Sequence, residues 1–252
     1  MRSIYYFRAL LTNKKKPKTN QTMKKFLLSL TFLSIALSTV FLTSCSKDDT
    51  TPPIITLLGA ESLELSLNTA SWADPGATAT DDEDGTVTVT SDYSSTNPNL
   101  NQTGTYIITY SATDEAGNTG TATRTVRVKN DAEAFAGSYS VRDTCPGFVF
   151  NYSQTITVSQ TINNRVHFNK FADYANNTGI YATRLANGSL EIPAQIGASI
   201  GTGSGACDVI DHRFTSVSFT STANGFILVY DDEGITSGCT GVTRCTATFT
   251  KL

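Results

Sequence analysis

Five thiols, two imidazoles and a short run of carboxylates are the groups in this chain with chemistry to offer. Cys45 stands alone, directly after an apolar run that ends at Leu42, Thr43 and Ser44, while Cys145, Cys207, Cys239 and Cys245 all fall in the C-terminal half. A thiol at the end of an apolar leader can carry a lipid as a thioether. Four thiols in an exported chain are expected to pair as disulfides, and four allow three pairings. A zinc centre built on them would need histidine or short Cys-x-x-Cys spacing, and neither is present. Asp81, Asp82 and Asp84 precede Gly85, with Asp74 and Asp114 in the same stretch. Carboxylate oxygens so grouped are candidate Ca²⁺ ligands, although the spacing is not that of an EF-hand and Asp beside Gly equally serves a tight turn. His167 and His212 are the only histidines. Asp208 and Asp211 flank the second, but no G-x-S-x-G elbow leads into a helix, so it reads as a turn histidine beside acids. The glycine-rich stretch 197–205 neither follows a βαβ strand nor opens a helix, which sets aside a phosphate loop. Asp231-Asp232-Glu233-Gly234 could supply a glycosidase carboxylate, yet four turn formers after the apolar run 226–230 read as a hairpin end. No catalytic constellation is expected, and no cofactor beyond that calcium.

The segment from Met23 to Cys45 has the parts of an export signal: Lys24 and Lys25, an apolar stretch from Phe26 to Leu42, then small residues. That stretch falls short of the roughly 20 residues a spanning helix needs. Leu42, Thr43, Ser44 and Cys45 resemble, position by position, the lipobox of bacterial lipoproteins. The resemblance implies a diacylglycerol on the Cys45 thiol and cleavage that leaves Cys45 as the first residue. Each buried CH₂ of such acyl chains contributes about 0.8 kcal/mol to membrane anchoring. Residues 1–22 carry Lys14, Lys15, Lys16 and Lys18 without an acid, and Met1 and Met23 are the only methionines. Met23 is therefore a second available start, the alternative being a long basic lead. Behind the cysteine, Lys47, Asp48 and Asp49 resemble the acidic export signal of Bacteroidetes lipoproteins. It implies an outer-membrane protein exposed at the cell surface, while a charged tether is the plain reading of the same residues.

Eight of the 19 basic residues and none of the 22 acids lie before Cys45, so the chain from Cys45 onward has 11 bases against 22 acids. Such a surface argues against nucleic acid and against adhesion to anionic lipid by charge, leaving the N-terminal lipid as the membrane contact.

Past a tether at 45–52, the chain reads as short β-branched runs separated by Gly, Asn, Asp and Pro, with little helical period. Leu63, Leu65 and Leu67 alternate, as do Val87 and Val89, then Tyr106, Ile108, Tyr110 and Ala112, and Ala122, Val126 and Val128 return behind a turn at 114–118. One tryptophan, Trp72, and no cysteine between 54 and 130 suggest an immunoglobulin-like sandwich without an intersheet disulfide. The motifs Ala73-Asp74-Pro75-Gly76, Asp81-Asp82-Glu83-Asp84-Gly85, Gly104-Thr105-Tyr106 and Tyr110 to Asn118 resemble the bacterial immunoglobulin-like domain of the pesticidal crystal protein type, over 53–129. In that family the domain is a spacer or adhesion module, which implies architecture and no reaction.

After a charged linker at 130–134, residues 135–252 read as a second all-β domain. Eight strands are expected, near 138–144, 149–160, 165–171, 179–186, 188–193, 212–221, 225–231 and 243–250, joined by turns at Asn163-Asn164, Asn187-Gly188 and Asn224-Gly225. Sequential hairpins without a crossover helix suggest an up-and-down antiparallel barrel, which resembles the lipocalin-like domains that end many Bacteroidetes lipoproteins. Tyr139, Val141 and Cys145 share one strand face, and Cys245, Ala247 and Phe249 another. First and last strands meet where a barrel closes, so Cys145 is expected to bond Cys245, leaving Cys207 for Cys239.

The expected function is that of a non-catalytic, lipid-anchored surface module that binds a glycan or protein partner, the sandwich serving as spacer. A carrier of a small apolar ligand and a scaffold for a protein partner are the alternatives. Phe148, Phe150, Tyr152, Phe171, Tyr174 and Tyr181 discriminate between them: rings exposed at one end favour glycan stacking, rings around a void favour the carrier, and filled core is the plain fate for most.

Overall fold

The computed structural model describes residues 48–174, 179–201, 209–236, 238 and 240–252. The lipobox residues Leu42 to Cys45, Lys47, Cys207, Asp208 and Cys239 lie outside the described residues.

The first half is a two-sheet sandwich. One sheet holds β1 (Ile54–Leu57), β3 (Ala77–Asp81) and β4 (Gly85–Val87) in the order β1-β3-β4; the other holds β2 (Ser62–Ser66), β5 (Val89–Ser91), β6 (Gly104–Thr113) and β7 (Thr119–Lys129) in the order β2-β7-β6-β5. Val87 and Val89 thus belong to different sheets, and β2 runs parallel to β7. Ile108, Tyr110 and Val126 form the buried centre, with Leu63, Leu65 and Trp72 packed on it. Each expected apolar stripe faces inward because β-branched and aromatic side chains at period two can bury only one face of a strand. Where the tether meets the sandwich, the Pro53 carbonyl lies against Gly120, and a Cβ there would approach it to 2.0 Å. No other residue fits this contact without moving the backbone.

One inward residue of β7 is not apolar. Arg124 is fully buried. It is ion-paired to Asp74 and donates to the carbonyls of Ala60, Leu58 and Gly76 at 3.0, 2.5 and 3.3 Å. Tyr110 lies under the guanidinium and donates its hydroxyl to Asp74 at 2.7 Å. Burial and that carboxylate push the Tyr110 phenol up to about 12, so it stays a donor. Asp74 is thereby committed to Arg124 and Tyr110.

The second half is a single curled antiparallel sheet, a half-barrel of nine strands: β8 (Gly137–Cys145), β9 (Phe148–Val158), β10 (Arg165–Phe168), β11 (Tyr181–Arg184), β12 (Leu190–Glu191), β13 (Gln195–Gly201), β14 (Val209–Thr222), β15 (Gly225–Gly234) and β16 (Gly241–Lys251). The order is β12-β11-β10-β9-β8-β16-β15-β14-β13. First and last strands do meet, β8 beside β16, and the open edges fall instead between β12 and β13, which follow one another in the chain. Side chains tie the two ends of the sheet together: the Gln195 amide on β13 takes the place of a backbone pair for Tyr181 on β11, accepting from its N–H at 3.1 Å and donating to its carbonyl at 2.7 Å. Ile192 and Ser216 are joined likewise. Two expectations change. The ninth strand, β13, was hidden because Gly197 and Gly201 interrupt any apolar alternation. β15 runs through Asp231, Asp232 and Glu233 rather than turning there, since each acid finds a cation or imidazole on a neighbouring strand: Arg244, His212 and Arg213.

The segment 130–134 is a packed joint. Asn130 is buried, and its amide donates to the carbonyls of Ser159 and Ile162 at 2.7 and 2.9 Å. Asn163 N–H donates to Asn68 Oδ1 at 2.9 Å, and Thr103 N–H to the Gln160 carbonyl at 2.8 Å. The turn between β9 and β10 is in this way hydrogen-bonded to the sandwich.

Candidate functional site

Strand register sets out the concave face of the half-barrel row by row, because residues directly opposed in antiparallel strands share a face. At one end Phe148 opposes Cys145, and Tyr230 opposes Cys245. Cys145 and Cys245 are disulfide-bonded across β8 and β16, the pairing expected from the sequence. In the next row stand Phe150, Asp143, Ala247 and Leu228, and below it Tyr152, Val141, Phe249 and Phe226.

The deeper rows are filled. Phe226 stacks on Phe249 at 4.4 Å between centroids, and Tyr139, Phe168 and Phe135 close around them. Phe171 is fully buried and packs on Tyr230 at 4.9 Å and Phe214 at 5.4 Å. It arrives on a tight turn in which Ala172 and Asp173 both hold left-handed φ, +56° and +63°. Such a conformation costs non-glycine residues on the order of 1 kcal/mol each. The Ala172 N–H, donated to Tyr152 Oη at 3.2 Å, helps hold it.

The disulfide end differs. Phe148 and Phe150 lie on the same face as Tyr152 yet are 63% and 41% exposed, their rings near-parallel at 18° with centroids 6.2 Å apart. Behind them Asp143 is 1% exposed. Tyr230 reaches across β16 to donate to its Oδ2 at 2.6 Å, and its Oδ1 has no hydrogen-bond partner. Burial pushes the Asp143 carboxyl up, and the charges of Asp232 and Asp173 add to that, against the hydrogen bond from Tyr230. Beside this pair Asp232 Oδ1 meets His212 Nδ1 at 2.5 Å, and Tyr174 donates to Asp232 Oδ2 at 3.3 Å. Burial drives the phenols of Tyr152, Tyr174 and Tyr230 upward, with nearby carboxylates adding to it. All three are neutral hydrogen-bonding groups at physiological pH. Asp143 lies near the two half-cystine sulfurs, but a disulfide sulfur is no thiolate and makes a poor metal ligand.

The candidate residues are sorted by position in the fold, and several move. Of the six aromatics, Phe148 and Phe150 are exposed, Tyr152 and Phe171 are core, and Tyr174 and Tyr181 are half-buried. His212 is no turn histidine. It lies within β14 and takes Asp232 from the neighbouring strand as its partner. Asp143 was missed although it has the same parity as Val141 and Cys145. In the sandwich Asp82 is exposed, Asp84 accepts from Glu115 N–H at 2.7 Å, and Asp81 is buried. Asp48 is exposed and Asp49 half-buried.

Residues 55–128 match the family model described as bacterial surface protein, Ig-like domain. Among curated proteins no match was found. Among solved structures, a lipoprotein of Bacteroides thetaiotaomicron is similar at 17% identity, with 79% of this chain and all of that one covered. The TM-score is 0.28, too low to equate the folds. From sheet order, register and the match together, the stretch 55–128 is an Ig-like domain of the bacterial surface protein type.

Proposed function

We propose that this chain is a surface lipoprotein, anchored through Cys45, whose half-barrel is a non-catalytic binding module held off the membrane by the Ig-like domain. The observation that carries the reading is the pair of exposed, near-parallel rings of Phe148 and Phe150 at the disulfide end of the concave face. Exposed, near-parallel aromatic faces suit a ligand with flat apolar faces, such as the rings of a glycan. His212 and Asp232 are hydrogen-bonded to each other, but their neighbour Tyr174 keeps its proton and is a hydrogen-bond donor, not a nucleophile. The filled inner rows support binding at the rim over enclosure of an apolar ligand.

The test is a glycan array probed with residues 50–252, which form one compact unit, alongside Phe148→Ser and Phe150→Ser. A hit lost in both variants supports the reading. A hit untouched by them would move the site elsewhere, and a silent array with a co-purified apolar ligand in native mass spectrometry would favour the carrier.

A further inference from the structure

Two turns meet at one end of the sandwich. Asp81 closes β3, and its Oδ1 accepts from the N–H groups of Glu83 and Asp84 at 2.9 and 3.1 Å. Asp84 in turn ties that turn to the one that follows β6, through Glu115 N–H. In this second turn Asp114 accepts from the backbone N–H and side-chain amide of Asn118 at 2.7 and 2.9 Å. Carboxylate oxygens of Asp81 and Asp114 come within 4.8 Å of one another. Both residues are only 8% exposed, and Asp81 Oδ2 is buried with no hydrogen-bond partner. Two buried carboxylates on separate turns therefore come together, one of them with an oxygen that no donor satisfies. Like charges so placed repel, and a buried acceptor without a donor is costly, so a cation would relieve both.

We infer that Asp81, through Oδ2, and Asp114 bind a Ca²⁺ ion, with backbone carbonyls and water completing its shell. Hard oxygen donors on two separate turns suit Ca²⁺, which accepts irregular shells of six to eight oxygens. Mg²⁺ demands octahedral geometry and sheds water reluctantly. With two protein carboxylates the affinity falls in the range of extracellular modules, about 10⁻⁴ to 10⁻³ M. This pair replaces the triad read from the sequence: Asp82 points to solvent, and Asp84 already braces the neighbouring turn.

Isothermal titration of the EDTA-stripped protein with CaCl₂, then with MgCl₂, tests the site, with thermal unfolding in parallel. Saturable heat and a raised Tm are expected with Ca²⁺ and not with Mg²⁺. Asp81→Asn keeps the Oδ1 that the turn needs and should bind about 10-fold more weakly or worse, whereas Asp82→Asn should bind as the wild type. No heat at millimolar Ca²⁺, equal response to Mg²⁺, or undiminished binding by a folded Asp81→Asn would each overturn the inference. Should Asp81→Asn fail to fold, the contrast between Ca²⁺ and Mg²⁺ on the wild-type protein decides.

Discussion

Each half of this molecule buries a charged residue on an otherwise apolar strand face, and the two are treated oppositely. Arg124 in the sandwich is met on every side: a carboxylate, three carbonyls and the face of Tyr110. Asp143 in the half-barrel has one phenol on one oxygen and nothing on the other. A saturated buried charge fastens the two sheets and the loops between them, and has no capacity left for a ligand. An unsaturated one adds little to the fold, since desolvation opposes it, and keeps an acceptor beside exposed aromatic rings. The contrast assigns a structural role to the first and withholds one from the second.

The largest expected effect lies in the sandwich. Arg124→Met should cost about 3–5 kcal/mol in urea unfolding, because buried Asp74 loses its guanidinium partner and keeps only the Tyr110 hydroxyl. Adding Asp74→Asn should restore part of that loss, and a single-variant cost below about 1 kcal/mol would remove the contrast. Next comes the disulfide, which closes the half-barrel between its first and last strands. Replacing Cys145 and Cys245 by alanine should cost about 2–5 kcal/mol, read as a lowered Tm that reductant no longer changes. Smaller still on stability are Phe148→Ser and Phe150→Ser. Both rings are exposed, so each should stay within about 0.5 kcal/mol of wild type, and a larger loss would make them core residues instead of a contact surface.

The two buried charges also show where sequence reasoning stops. Ala122, Val126 and Val128 mark the inward face of β7, and Val141 and Cys145 that of β8. Arg124 and Asp143 have the same parity, and only their charge sets them apart from the apolar pattern. Period-two patterning was right about the face. It carries no information about partners such as Asp74 and Tyr230, which lie 50 and 87 residues away in the chain. The meeting of first and last strands was legible because the cysteines mark it. β13 was not, its glycines having erased the alternation, and neither was the Asp232–His212 pair, since three consecutive acids look like a turn until a neighbouring strand supplies partners. Phe148 and Phe150 differ from the buried Tyr152 only in how far along β9 they lie, and a local pattern does not record where a sheet stops covering its own face.

Asp143→Asn tests the central contrast most directly, by guanidinium unfolding from pH 4 to pH 8. Burial raises the carboxyl of native Asp143 above its unfolded value, so the native state holds its proton more tightly. The wild type is then favoured at low pH and loses stability as pH rises from the unfolded toward the folded pKa. Asparagine keeps an acceptor for Tyr230 and does not ionise. The expected result is a variant at least as stable as wild type at pH 7, to within about 1 kcal/mol, whose advantage shrinks toward pH 4. A variant several kcal/mol less stable at pH 7 would make Asp143 a structural residue like Arg124 and contradict the account.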